Sequence, residues 1–197
     1  MMPQTQEMFV PEGAAKTLRM PSRPVPGGSY SVTVHVAKNA SLVVTDTLRT
    51  AKPCTVRLFV HLEGEGASVI DTSRYQGVGT ATLDIERVVV HRAPRTTSQV
   101  DARGIVHDSA RVLWRGRVVV ERGAPKAQAF LRHDAILAGP EALVDAAPFL
   151  EIFTDDAVCK HSASVRRIQP EQLFYMKSRG VPEMEARAMI LEGFLVN

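Results

Sequence analysis

The sequence predicts a mainly β domain closed by a C-terminal helical hairpin, and three observations carry that prediction. The first is strict alternation: in "YSVTVHVA", Tyr30, Val32, Val34 and Val36 fall on one face and Ser31, Thr33 and His35 on the other, the period of a half-buried strand. The second is repetition of such segments. "SLVVTDTL", "CTVRLFVHL", "ASVIDTS", "TATLDIERVVVH", "GIVHDSARVLWRGRVVVER" and "AQAFLRHDAILA" follow, separated by turn residues such as "GEG" (64–66) and "QGVG" (76–79). The third is a change of period near the end. "QPEQLFYMKSRG" opens with Pro170 and Glu171, suited to a first helical turn, and stops at Gly180. "VPEMEARAMILEGF" restarts with Pro182 and Glu183 and carries Ala186, Met189, Ile190 and Phe194 at helical spacing. Each helix is short, so its apolar face needs a packing partner, whether this chain or another protein.

Residues 1–28, rich in Pro, Gly and Met, read as a loosely ordered lead-in; residues 29–165 form the β core and 166–197 the helical segment. Within the core, alternation admits either a sandwich or a coiled stack of rungs. There is no Cys…Trp…Cys pattern of an immunoglobulin domain and no clean repeat to decide between them.

Composition narrows the function classes. A 197-residue chain with 45% hydrophobic residues is long enough for a sizeable core. Its formal charge of +3 is too small, and its arginines too dispersed, to indicate nucleic acid. No apolar run reaches the length of a membrane span, and two cysteines do not make a disulfide framework, so a cytoplasmic protein without a membrane partner is expected. There is no G-x-x-x-x-G-K-[ST], G-x-S-x-G, H-E-x-x-H or C-x-x-C. The expectation is therefore a non-enzymatic protein that binds no nucleotide itself.

One stretch invites chemistry. In "VCKHSAS" (158–164), Cys159 and His161 fall on the same face of a strand, roughly 6.5–7 Å apart along the chain, with Lys160 opposite. Thiolate and imidazole are both good ligands for borderline metals, yet two ligands do not close a site, and a packed strand accounts for the pair equally. Asp155–Asp156 and His133–Asp134 are neighbours that point to opposite faces, which makes poor dyads; the former reads as a turn. His35, His61, His91 and His107 sit in or beside strand patterns and read as ordinary surface or satisfied histidines. Arg111, Arg115, Arg117 and Arg122 read as a solvated outer face, and Cys54 as a small buried hydrophobe.

The C-terminal half resembles a known family. "APFLEIFTDDAVCKHSASVRRIQPEQLFYMKSRGVPEMEARAMILEGF" is similar to the end of the SufB/SufD proteins, scaffolds of the SUF iron–sulfur cluster assembly system. The matching residues are Pro148, Leu150, Glu151, Ile152, Asp155, Asp156, Cys159, His161 and Ala163, then Leu173, Phe174, Tyr175, Ser178, Arg179, Gly180, Glu185, Ala186, Arg187, Gly193 and Phe194. Upstream, Trp114 and Gly116 fall in register with the family's G-V-L-x-x-x-A-x-x-x-F-x-G-x-I segment. The chain resembles a short SufD-like or SufBD-like member.

That resemblance implies a right-handed parallel β-helix core with a helical C-terminal domain, which chooses between the two all-β options. It implies a scaffold subunit acting with a SufC-like ABC ATPase, docked through Leu173, Phe174, Tyr175, Ser178, Arg179, Gly180, Glu185, Arg187 and Phe194. It further implies a homodimer or a heterodimer with a SufB/SufD-type subunit, and a transient iron–sulfur cluster near His161 and Cys159. The sequence C-K-H-S-A-S, where the family has C-S-H-G-A-T, favours an alternative: a structural or regulatory partner of the ATPase that has lost cluster chemistry.

Overall fold

A computed structural model describes residues 4–21 and 28–196. The chain alternates between two parallel sheets. In order it forms β1 (Gln4–Val10), β2 (Ala15–Arg19), β3 (Ser29–Val36), β4 (Ser41–Thr50), β5 (Cys54–Leu62) and β6 (Ser68–Gly77). It continues with β7 (Thr82–His91), β8 (Thr97–Val106), β9 (Arg111–Val120), β10 (Ala127–Leu137), β11 (Leu143–Ile152) and β12 (Ala157–Arg166), then α1 (Pro170–Ser178) and α2 (Glu183–Val196). Odd-numbered strands stack in one six-stranded sheet, β1-β3-β5-β7-β9-β11, and even-numbered strands in the other, β2 through β12. The result is a parallel β-solenoid of about five turns carrying two C-terminal helices.

Alternation places one face of every strand inside. Val56, Leu58, Val60 and Leu62 of β5 stack in register on Ile85, Arg87, Val89 and His91 of β7, and those on Trp114, Gly116, Val118 and Val120 of β9. Fully burying a side chain such as Leu62 or Val118 contributes about 1.5–3 kcal/mol, and each rung supplies several.

The repeat that the strands conceal lies in the corners. Ala40 N–H donates to Ala37 O at 3.2 Å, Ala67 to Gly64 at 3.1 Å, Ala81 to Val78 at 3.2 Å and Ala110 to His107 at 3.0 Å. Each corner also holds a residue at positive φ, namely Asn39 (53°), Gly66 (70°), Gly79 (65°) and Asp108 (52°). Asn, Asp and Gly are the residues that enter this region at least cost. The alanines that close these turns are buried, because a larger side chain would not fit between successive rungs. Corners also bind one another: Gly79 N–H donates to Asp108 Oδ2 at 2.7 Å.

The start of the chain corrects one expectation. Gln4–Val10 and Ala15–Arg19 are not a loosely ordered lead-in but the first rung, paired with β3 and β4. Met8 and Val10 pack on the core, as do Leu18 and Met20, and the glycine of this segment, Gly13, makes the corner. The remainder of that expectation, residues 1–3 and 22–27, lies outside the described residues.

Polar clusters interrupt the apolar interior. Arg87 is buried between Asp46 and Asp71, its Nε lying 3.2 Å from Asp71 Oδ2 and its Nη2 on Asp46 Oδ2. His91 is buried between the hydroxyls of Thr96 and Ser98, each at 2.8 Å. His133 stacks on Trp114 at 4.4 Å and meets the Tyr75 hydroxyl through Nε2 at 2.7 Å. Burial pushes the Asp71 carboxyl up to about 6, against the pull of Arg87, and raises Asp46 for the same reason. Burial drives the His91 and His133 imidazoles down to about 4.

These groups oppose each other in acid. Between about pH 6.5 and 4 the unfolded chain protonates histidines that stay neutral when folded, so stability falls as pH falls. Asp71 takes up its proton in the folded chain below about 6 but in the unfolded chain only near 3.9, so it offsets part of that loss. An Asp71→Asn variant should therefore lose more stability than the parent between pH 7 and 4.5, measured as the shift of the urea midpoint. An equal shift in both proteins would show that Asp71 does not protonate in this window.

Candidate functional site at the open rung

Among the described residues the first rung (β1, β2) and the last (β11, β12) each lack a neighbour on one side, and the last carries the sequence candidates Cys159 and His161. β11 pairs only with β9 and β12 only with β10, so both strands leave one backbone edge free within the described residues. On β11 the inward column is Val144, Ala146, Pro148, Leu150 and Ile152, stacked on buried Val112, Trp114, Gly116, Val118 and Val120. On β12 it is Ala157, Cys159, His161, Ala163 and Val165, stacked on Ala127, Ala129, Leu131, His133 and Ala135. In any earlier rung these positions would be core. Here they form a largely apolar surface, while exposed Phe149 and Val158 stand on the outer faces of the same strands.

Cys159 and His161 thus share the inward column of β12, with Lys160 on the outer face. Cys159 is half-buried over Ala129, and burial raises its thiol; His161, over Leu131, is exposed. Among the described residues no group of three or more His, Cys, Asp or Glu side chains is arranged to hold a metal ion. The chain therefore offers two donors on one face of an open rung, and a complete coordination sphere needs donors from elsewhere. Directly beneath lies the His133–Trp114–Tyr75 stack, since His133 is opposite Ala163 and Trp114 opposite Ala146. The register of β10 puts His133 on the inner face, and its stacking partners come from strands distant in sequence and carry no local signal.

The helical hairpin folds back onto the outer face of the even-numbered sheet. Gly180 at φ 85° closes α1: Gly180 N–H donates to Lys177 O at 3.0 Å and Val181 N–H to Met176 O at 3.2 Å, the paired bonds that satisfy a helix C-terminus. No basic residue occupies the last turn of α2. The sheet supplies that charge: Arg74 Nε donates to Leu195 O at 2.8 Å and Arg103 Nη1 to Phe194 O at 3.1 Å, complementing the negative end of the helix dipole. Glu183 bonds Lys177 at 2.9 Å and Arg187 at 2.8 Å, which together hold its carboxyl down to about 2.

The residues expected to contact a partner divide by exposure. Leu173 is the buried residue of α1, and Phe194 is half-buried beneath Arg103 and Arg166. Phe174 and Tyr175 are exposed at 75% and 61%, together with Met184 at 85%. Ser178 bonds the Tyr175 carbonyl at 2.7 Å and Arg179 lies over the Tyr175 ring at 5.5 Å. Gly180, Glu185 and Arg187 are exposed beside them.

The remaining sequence candidates have structural roles. Asp155 and Asp156 lie in the corner before β12, where Thr154 Oγ1 accepts from Asp156 N–H at 3.4 Å. His35 and His61 stack at 5.1 Å on the outer face, with His35 between Glu7 and Glu63. His107 lies in the corner before β9. Arg115 pairs with Asp84 and Arg117 with Glu151 on that outer face, and Arg111 and Arg122 are exposed. Cys54 is buried, its thiol pushed up to about 11 by burial and by the Asp46 charge. No helix is long and apolar enough to cross a membrane among the described residues.

Residues 29–194 match the family described as SUF system FeS cluster assembly, SufBD core domain. A curated protein of Staphylococcus saprophyticus, named an iron–sulfur cluster assembly SufBD family protein, is 36% identical over 135 residues, covering 68% of this chain and 29% of its own length. Proteins of the same name from Staphylococcus haemolyticus and Staphylococcus aureus are each 35% identical over 135 residues, with the same coverage. The chain thus spans about 29% of the length of the curated relatives it matches.

The two cysteines should separate by reactivity. In native buffer near pH 8, Cys159 should react with a thiol reagent at least tenfold faster than buried Cys54, and a Cys159→Ala variant should keep only the slow phase. Two equal rates would place Cys54 at the surface or Cys159 in the core.

Proposed function

Because the chain belongs to the SufBD family of the SUF iron–sulfur cluster assembly system, we propose that it is a non-enzymatic cytoplasmic scaffold subunit on which a cluster is held transiently as cargo. The observation that carries this reading is the open rung, where Cys159 and His161 stand on an apolar surface between two free strand edges. A free edge is a template for pairing with another chain. A second SufB/SufD-type subunit, identical or longer, would bury the exposed apolar side chains and add the missing donors. Thiolate and imidazole suit iron, and the apolar surround would keep water from the bound sulfide.

The hairpin gives such a scaffold its link to an energy source. Exposed Phe174, Tyr175 and Met184 would suit an apolar groove on a SufC-like ATPase, and the Arg74 and Arg103 contacts tie α2 to the sheet. Movement of the docked ATPase would then reach the open rung through strands β6, β8, β10 and β12, which are hydrogen-bonded neighbours. A second reading, a structural or regulatory partner of the ATPase, is favoured by the count of donors: one chain contributes only Cys159 and His161 at this end.

Anaerobic co-purification with the SufC-type ATPase of the same organism tests docking. The wild-type chain should elute as a complex, and joint Phe174→Ala and Tyr175→Ala substitution should weaken it roughly 30-fold or more, as expected for exposed aromatic anchors. Iron and sulfide analysis after reconstitution then separates the two readings. Bound iron and sulfide that are lost in a folded His161→Ala variant support the scaffold; none in the wild-type complex supports the regulatory partner. An ATPase that is not retained by the wild-type chain overturns both.

A further inference from the structure

A second site lies on the outer face of the even-numbered sheet, where α2 crosses it. A cavity of about 600 Å³ separates them, and four arginines line it: Arg103 of β8, Arg132 of β10, Arg166 of β12, and Arg167 in the link to α1. Asp134 is the one acidic residue on its wall. Arg132 pairs with that carboxylate at 2.6 Å, and Arg103 reaches Asp101 only at 3.6 Å. Arg166 and Arg167 have no carboxylate partner among the described residues. The cavity therefore carries a surplus of positive charge that the chain does not neutralise.

The guanidinium groups are also held in place. Arg103 and Arg166 both lie over the Phe194 ring, 6.0 and 5.8 Å from its centre. Arg167 donates to the carbonyls of Gly139 and Pro140 at 2.6 and 3.0 Å. Arg103 is anchored on the Phe194 carbonyl at 3.1 Å and keeps its Nε unbonded though buried. Fixed guanidinium forks spend little entropy in binding and match the geometry of phosphate and carboxylate oxygens. Ile136, Ile168 and Ile190 supply an apolar floor that lowers the local dielectric and strengthens such contacts. The volume lies within the range of small-molecule sites.

We propose that this cavity binds a small molecule bearing at least two oxyanion charges, a phosphate or carboxylate compound, held by Arg132, Arg166 and Arg167. The site uses side-chain forks, so the absence of a phosphate-cradling glycine loop does not bear on it. Arg166 and Ser164 belong to β12, but on its outer face, opposite the Cys159–His161 column, and the test of the site does not depend on the scaffold reading.

The purified full chain, without ATPase, is titrated calorimetrically with inorganic pyrophosphate and, separately, with citrate at low ionic strength. At least one should bind at one site per chain, with affinity that falls as sodium chloride is added. Arg132→Gln and Arg166→Gln alter exposed side chains, so each should leave the melting temperature within about 2 °C while weakening binding about tenfold or more. An Arg117→Gln control on the opposite sheet should change nothing. Binding of pyrophosphate alone identifies a phosphate site, and of citrate alone a carboxylate site. No binding of either at millimolar concentration, or binding unaffected by both substitutions, overturns the proposal.

Discussion

Everything in this molecule depends on parallel rungs stacked in register. A strand in such a stack satisfies its backbone groups only through the rungs above and below, at a spacing of about 4.8 Å. That spacing forces like positions into columns, so one side chain's fit is decided by its neighbours in adjacent rungs. Interior rungs are closed on both sides; the rung formed by β11 and β12 is not. Its exposed column is core-like because the fold that made the core continues through it. Repeat architectures need an atypical terminal unit to stop this propagation, and here the terminal unit presents Val144, Leu150 and Val165 instead of a polar cap. An uncovered apolar face is the physical consequence.

Column packing also explains how large and polar side chains enter so narrow an interior. Trp114 is accommodated because Gly116, two residues on and on the same face, has no side chain; a Cβ there would fall within the indole's van der Waals envelope. Gly104 does the same for Tyr75, which lies opposite it in the sheet. The space so created admits His133, and the three rings stack where aliphatic residues would otherwise interdigitate. Arg87 is a different solution. Two carboxylates from adjacent rungs, Asp46 and Asp71, surround one guanidinium. Such a cluster adds little net stability over an apolar core, yet each member becomes costly if its partners are removed.

The hairpin is attached by charge as much as by apolar contact. α1 and α2 bury few residues, Leu173 and Ala186 foremost. What fixes α2 is a set of arginines rising from the sheet to its C-terminal carbonyls and to the Phe194 ring. Phe174 and Tyr175 remain uncovered on one helix, while the opposite side of the hairpin roofs the arginine-lined cavity. One short element thereby creates two separate surfaces, an aromatic one facing outward and a cationic one facing the sheet.

Alternation in "YSVTVHVA" and its successors was enough to determine strands, their inner and outer faces, and the pairing of Cys159 with His161 on one face. Pro170 and Gly180 bounded the first helix as caps do. Strand periodicity has no term for how sheets associate, so the residues alone left sandwich and solenoid open, and resemblance to a family chose between them. The rung offset drifts, with Gln4 opposite Tyr30, Cys54 opposite Leu83 and Arg111 opposite Leu143, which blurs any fixed period and hides the alanine-closed corners. The first rung was missed because "QTQEMFV" alternates weakly and depends on β3 for half of its definition. Only the tertiary structure decided that β12 is the last strand of its sheet, and hence that His161 is exposed where His133, one rung below, is sealed. It alone gathered Arg103, Arg132, Arg166 and Arg167 around one cavity. Exposure and convergence are set by what lies on the far side of a strand, which no local pattern records.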